Sequence, residues 1–140
     1  MSITSPRIVG ILLLLLATCA IDAPAQEVDH LEEIDRIGEA FAKGDARKIV
    51  QHASDRIELS IFGNSTLYSR SQATYVLQEF FRAHRPSSCE FEDVSAAGDS
   101  QFATGYLQVN DEDEPLRVFV RMRANDDTWK LREVRIERVQ

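Results

Sequence analysis

Ser69-Arg70-Ser71-Gln72-Ala73-Thr74-Tyr75-Val76-Leu77-Gln78-Glu79-Phe80-Phe81-Arg82-Ala83-His84-Arg85-Pro86 is the stretch that decides the fold. Ser69 with Gln72 has the form of a capping box. Behind it Ala73, Val76, Leu77, Phe80, Phe81 and His84 fall at steps of three, one, three, one and three, a single apolar stripe down one helix face. Pro86 ends the helix. Such a stripe must be covered, and the chain that follows can supply a sheet to do it. Residues 88–96, 101–110, 116–124 and 128–138 read as strands, with turn signals at 111–115 and 125–127 between the last three. In the last strand Trp129 and Leu131 share one parity while Val134 and Ile136 share the other. If one face is buried throughout, a bulge near Arg132 and Glu133 must restore the phase, and a bulge bends a sheet.

Working upstream, Asp29 with Glu32 also has capping-box form, and Leu31, Ile34, Ile37, Gly38, Phe41 and Ala42 follow at helical spacing until Gly44. Asp45 then caps a short helix over roughly 46–52. The period changes to two where Ile57, Leu59 and Ile61 alternate with Arg56, Glu58 and Ser60, a half-buried strand. Gly63-Asn64-Ser65 turns the chain, and residues 66–68 pair back. Three N-terminal helices before a long, bent, antiparallel sheet predict an α+β cone whose helices cover the concave face.

The remaining N-terminal residues read as an export signal. Arg7 precedes an uncharged run over residues 8–17 with five consecutive leucines, too short for a helix that spans a bilayer. Ala23-Pro24-Ala25 places small side chains where a signal peptidase reads them, so residues 1–25 form the expected signal and 26–140 a single domain, periplasmic or extracellular. The alternative is a lipoprotein anchored at Cys19 through Leu16-Ala17-Thr18-Cys19, against which Thr18 counts. Export leaves Cys89 as the one cysteine of the domain, so no intrachain disulfide can form and the fold rests on its core. The 140 residues hold 23 acidic and 16 basic side chains, net −7. That balance argues against binding driven by nucleic-acid phosphates.

Several segments together carry a resemblance. Residues 43–48 (Lys-Gly-Asp-Ala-Arg-Lys), 56–59 (Arg-Ile-Glu-Leu), 68–73 (Tyr-Ser-Arg-Ser-Gln-Ala) and 76–81 (Val-Leu-Gln-Glu-Phe-Phe), with His84, begin it. Residues 102–107 (Phe-Ala-Thr-Gly-Tyr-Leu), 116–119 (Leu-Arg-Val-Phe) and 133–137 (Glu-Val-Arg-Ile-Glu) continue it. In this order the chain resembles an uncharacterised family of exported bacterial domains with the nuclear transport factor 2-like, or ketosteroid isomerase-like, fold. Arg85 and Cys89 depart from the family pattern. The resemblance implies the cone; the wider superfamily holds isomerases, dehydratases, dimerisation modules and transport adaptors, so activity has to be argued from the site.

An isomerase of this kind needs a carboxylate base in an apolar pocket with hydrogen-bond donors aimed at an oxyanion. Glu58, Glu90 and Glu92 alternate away from their apolar neighbours, and Asp45 is a helix cap, so the pattern forces no carboxylate inward. The expected function is therefore a non-catalytic binding or interaction module. The alternative is a small-molecule isomerase or dehydratase using His84 or His52 with a tyrosine in the cone. An open cone would be lined by Tyr68, Tyr75, His84, Tyr106 and Trp129. No cofactor is expected and no metal: His30 and Glu33 offer two ligands on one turn, and residues 111–114 read as a solvated hairpin tip. Residues 26–114 carry net −10 and residues 115–140 net +3. Arg117, Phe119, Arg121 and Arg123 share one strand face opposite Leu116, Val118, Val120 and Met122; the plain reading is a solvated sheet face, and the sharper one an interface that joins two copies as a homodimer through the sheet. The partner class is a small ligand or a protein, with no nucleic acid and no membrane span.

Overall fold

A computed structural model describes residues 25–140, so the expected signal, apart from its last residue, lies outside the described residues, as does Cys19. Helix α1 covers Ala25–Ala42 and α2 covers Ala46–Val50; strands β1 (Ala53–Ile61) and β2 (Asn64–Ser69) precede α3 (Arg70–Ala83). Strands β3 (Pro86–Ala97), β4 (Ser100–Val109), β5 (Leu116–Asn125) and β6 (Thr128–Arg138) complete the chain. No helix among the described residues is long and apolar enough to cross a membrane.

The helix ends are set by local chemistry. The capping box at α3 is complete: the Gln72 N–H donates to Ser69 Oγ at 3.3 Å, and the Ser69 N–H donates back to Gln72 Oε1 at 3.1 Å. Asp45 caps α2 by accepting from the Lys48 N–H at 3.1 Å. Asp29, by contrast, falls inside α1 because the helix starts four residues earlier, and Glu32 pairs one turn on with Arg36 at 3.2 Å. At the other end of α1, Gly44 takes a φ of +64°, and the Asp45 N–H reaches back to Ala40 O at 2.8 Å. This left-handed stop turns the chain directly into α2.

The six strands form one sheet in the order β2-β1-β6-β5-β4-β3. Four of its ladders are antiparallel as expected, but β1 pairs with β6 in parallel. A two-residue repeat is the same for either direction, so strand patterning carries no information on this pairing. The expected bulge in β6 is present: Arg121 opposes Glu133 and Met122 opposes Leu131, which leaves Arg132 as the extra residue. Leu131, Val134 and Ile136 are thereby all buried on one side. Strand β3 carries two further irregularities, at Ser87 and Glu92. The second lies where Phe91 opposes Gly105, and a Cβ on Gly105 would overlap the backbone carbonyl of Glu90.

The helices lie on the concave side, with α1 against β3 and β4 and α3 against β1 and β2. Ile37, Phe41, Ile49, Ile57, Leu77, Leu107, Val118 and Leu131 have no accessible surface, so no water-sized void adjoins them. Phe41 meets Phe81 edge-on with centroids 5.9 Å apart, tying α1 to α3. The inside of the cone is filled at these positions.

Candidate functional site: the convex face and the rim

The five residues expected to line a pocket do not come together. Tyr68, opposite Ile57, and Trp129 pack against the core. Tyr75 is 63% exposed, because it sits two residues from both Ala73 and Leu77 and so on the far side of α3. Tyr106 shares parity with Phe102 and Thr104, whereas Ala103, Gly105, Leu107 and Val109 are the buried residues of β4; its ring is on the convex face. Among the described residues, neither His52 nor His84 has a tyrosine as its hydrogen-bond partner: His84 Nδ1–H donates to Asp111 Oδ2 and His52 Nδ1–H to Glu33 Oε1, both at 2.9 Å. Cys89 packs against the core, and burial, followed by the charge of Glu90, pushes its thiol up to about 12.

The convex face is better organised. Leu116, Val118, Val120 and Met122 are buried, and Arg117, Phe119, Arg121 and Arg123 alternate with them on the other side, as the pattern requires. The ladders set them in rows across the sheet. Tyr106, Arg117 and Glu137 form one row; Thr104, Phe119, Arg135 and Ser60 the next; Phe102, Arg121, Glu133 and Glu58 the third. Phe102 and Phe119 stack with centroids 5.9 Å apart, and the Arg135 guanidinium lies 5.1 Å above the Phe119 ring. Glu133, although on the side away from the helices, is only 9% exposed. Arg121 Nε donates to one of its oxygens at 3.2 Å and Arg135 donates to the other at 2.8 Å, so two arginines satisfy one carboxylate. Arg123 at the edge pairs with Asp99 at 3.2 Å.

A second constellation occupies the rim. Phe62 and Gly63 form the two-residue turn between β1 and β2, one residue earlier than the sequence suggests, with φ of +50° and +87°. An aromatic residue in this region costs about 1 kcal/mol or more, which the surrounding contacts must offset. Its ring lies 5.5 Å from the His84 ring and 6.1 Å from Phe80, and the Arg138 guanidinium sits 3.8 Å above it. Arg138 also donates to Glu112 at 3.1 Å. Phe62, Gly63, Arg117, Glu137 and Arg138 line a cleft of about 630 Å³. A smaller cleft of about 210 Å³ between α1 and α2 is lined by Arg36, Glu39, Lys43, Lys48 and His52. Sequence reading singles out Arg117 and His84, takes Asp111 and Glu112 as part of a solvated hairpin tip, and misses Phe62 and Arg138; the one local signal is an aromatic residue directly before a turn glycine.

Three helices on the concave side of a bent six-stranded sheet define an α+β domain of the nuclear transport factor 2-like, cystatin-like class. The chain belongs to the DUF4783 family, a domain of unknown function, whose family model matches residues 34–137. Among solved structures, a DUF4783 family protein from Bacteroides ovatus ATCC 8483 is 22% identical, over 75% of this chain and 94% of that one, with a TM-score of 0.69. A family member from Bacteroides uniformis ATCC 8492 is 21% identical over 76% and 96% of the two chains, also at 0.69. An NTF2-like protein from Cytophaga hutchinsonii ATCC 33406 is 11% identical over 81% and 98%, with a TM-score of 0.62. No curated protein matches the chain.

Proposed function

We propose that this chain is an exported, non-catalytic interaction module that works through the convex face of its sheet, with a second copy of itself as partner. The observation that carries this reading is the contrast between the two faces. The concave side is packed without accessible surface at Ile37, Phe41, Leu77, Leu107 and Val118. The convex side presents stacked Phe102 and Phe119 framed by Arg117, Arg121 and Arg135. Aromatic residues and arginine are the types enriched at protein interfaces. Glu58, Glu133 and Glu137 stand in the same rows, so the face carries both signs of charge and can complement a copy of itself across a two-fold axis. Export is supported by the leader-like run over residues 8–17.

The test is the mass in solution. Light scattering at high micromolar concentration is expected to give a dimer, and Phe119→Asp, which sets a charge at the centre of the face, is expected to give a monomer with unchanged circular dichroism. A monomeric mass for the unaltered chain overturns the self-association reading. A thermal-shift screen with small apolar acids and sterol-like compounds is expected to be silent. A specific rise in midpoint there would favour the isomerase or dehydratase alternative instead.

A further inference from the structure

His84, Asp111 and Glu112 bring three ligand atoms, one from each side chain, within 4.8 Å of one another. They come from two parts of the chain: His84 is the C-cap of α3, and the two carboxylates lie between β4 and β5. The backbone on both sides of the cluster is tied down. The His84 N–H donates to Phe80 O at 2.8 Å, and the Asn110 N–H donates to Arg85 O at 2.9 Å, which clamps the end of α3 to the segment that carries the carboxylates. The imidazole packs against two rings, Phe80 at 4.9 Å and Phe62 at 5.5 Å. Glu112 is oriented from outside the cluster by Arg138, itself fixed over Phe62.

These are the elements of a metal site. An imidazole nitrogen and two carboxylate oxygens bind Zn²⁺ at about 2.0–2.2 Å, which sets neighbouring ligand atoms roughly 3.5 Å apart in a tetrahedron. Closing the cluster from its present spacing of up to 4.8 Å takes movements of about an ångström at the ligand atoms. Two carboxylates balance the charge of the ion, and the exposed edge at Asp111 leaves room for a water as fourth ligand. The mixed nitrogen and oxygen set favours Zn²⁺ over Mg²⁺ and Ca²⁺, which take mainly oxygen. We propose that His84, Asp111 and Glu112 form a Zn²⁺ site that staples the end of α3 to the β4–β5 connection. The competing account is that the two pairs, His84 with Asp111 and Arg138 with Glu112, do nothing beyond holding the rim together.

Titration of the purified full chain, stripped with chelator, separates the two accounts. Zn²⁺ is expected to bind at one per chain and to raise the unfolding midpoint progressively with its concentration, while Mg²⁺ at the same concentrations does neither. Loss of a residue that merely orients a ligand weakens a metal site 10- to 100-fold, so His84→Ala, Asp111→Asn and Glu112→Gln are each expected to weaken binding about 100-fold or more. Asp111→Asn and Glu112→Gln change one atom in a surface connection and carry the test if His84→Ala does not fold. Glu114→Gln, in the same connection but outside the cluster, is expected to bind as the unaltered chain does. Absence of Zn²⁺ binding, equal affinity for Mg²⁺, or binding that survives Glu112→Gln and Asp111→Asn would each overturn the proposal.

Discussion

Gly105→Ala places one methyl group where β3 and β4 come closest, and the structure sets its cost. Alanine in the interior of a strand is ordinarily better than glycine by about 0.5–1 kcal/mol, so an unconstrained site would be stabilised. Here a Cβ would stand 2.7 Å from both Glu90 C and Phe91 Cα, where ordinary contacts begin at 3.4 Å. Strand β3 would have to retreat by about 0.7 Å at Phe91, and further at the Glu90 carbonyl, which the methyl would overlap. A ladder bond of about 2.9 Å stretched by that much passes the usual limit. Losing two such bonds costs about 1 kcal/mol each, and pulling Phe91 away from Gly38 on α1 adds a packing loss, for a total of about 2–4 kcal/mol. The assay is urea unfolding followed by the fluorescence of Trp129, the one tryptophan, which packs against the core. A large drop in midpoint with an unchanged slope is expected. A change of less than about 1 kcal/mol, or any stabilisation, would refute the claim that glycine is required for the backbones to approach. Gly98→Asn, in an open turn at φ +61° with nothing within 4 Å, is the control and should cost under about 1 kcal/mol.

Three further outcomes follow from named contacts. Ser69→Ala removes the hydroxyl that accepts from the Gln72 N–H and should cost about 1 kcal/mol in the same assay, whereas an unchanged midpoint would mean the capping box contributes nothing. Leu77→Ala, with no accessible surface, should cost about 3 kcal/mol and Tyr75→Ala under about 0.5 kcal/mol, so a comparable cost at Tyr75 would contradict its outward placement. The Cys89 thiol, raised from 9.0 to about 12, should be alkylated about 1,000-fold more slowly in the folded chain than in urea, as read by mass spectrometry of its peptide. Because the folded value is the higher one, the stability that Cys89 contributes is complete below pH 9 and is lost as pH rises towards 12; equal alkylation rates would refute the buried-thiol reading.

What could be read from the chain was local or depended on parity. The box at Ser69 and Gln72 needs only four residues, and the stripe through Ala73, Leu77, Phe80 and Phe81 repeats within one helix. The bulge at Arg132 was legible because two parities of one strand had to share a face. The bulge at Glu92 leaves a signal of another kind, a glycine inside a strand pattern, on the neighbouring strand at Gly105. Pairing of β1 with β6 left none, since it joins the first strand to the last and strand direction does not alter a two-residue repeat. Tyr75 and Tyr106 share a chemistry with Tyr68, but their spacing from Leu77 and Leu107 already places them on other faces. The parity of β4 is harder to judge because two large aromatic residues, Phe102 and Tyr106, stand on its outer side while the inner side holds Ala103 and Gly105.

That ambiguity is itself informative about function. An antiparallel strand with one solvated face normally alternates cleanly between apolar and polar residues. Strand β4 does not, and the apolar members of its second face lie in the same rows as Phe119 and its arginines. The rim followed a different logic. Phe62, His84, Glu112 and Arg138 come from four segments, so no period within one segment could announce their meeting. A strand that commits one parity to filling the cone leaves only the other for recognition. In this chain the inner parity is packed without accessible surface at Leu107 and Val118. If the convex rows are where a partner docks, a variant at an exposed member of them, Arg117→Ala, should weaken association while leaving the unfolding midpoint close to that of the unaltered chain.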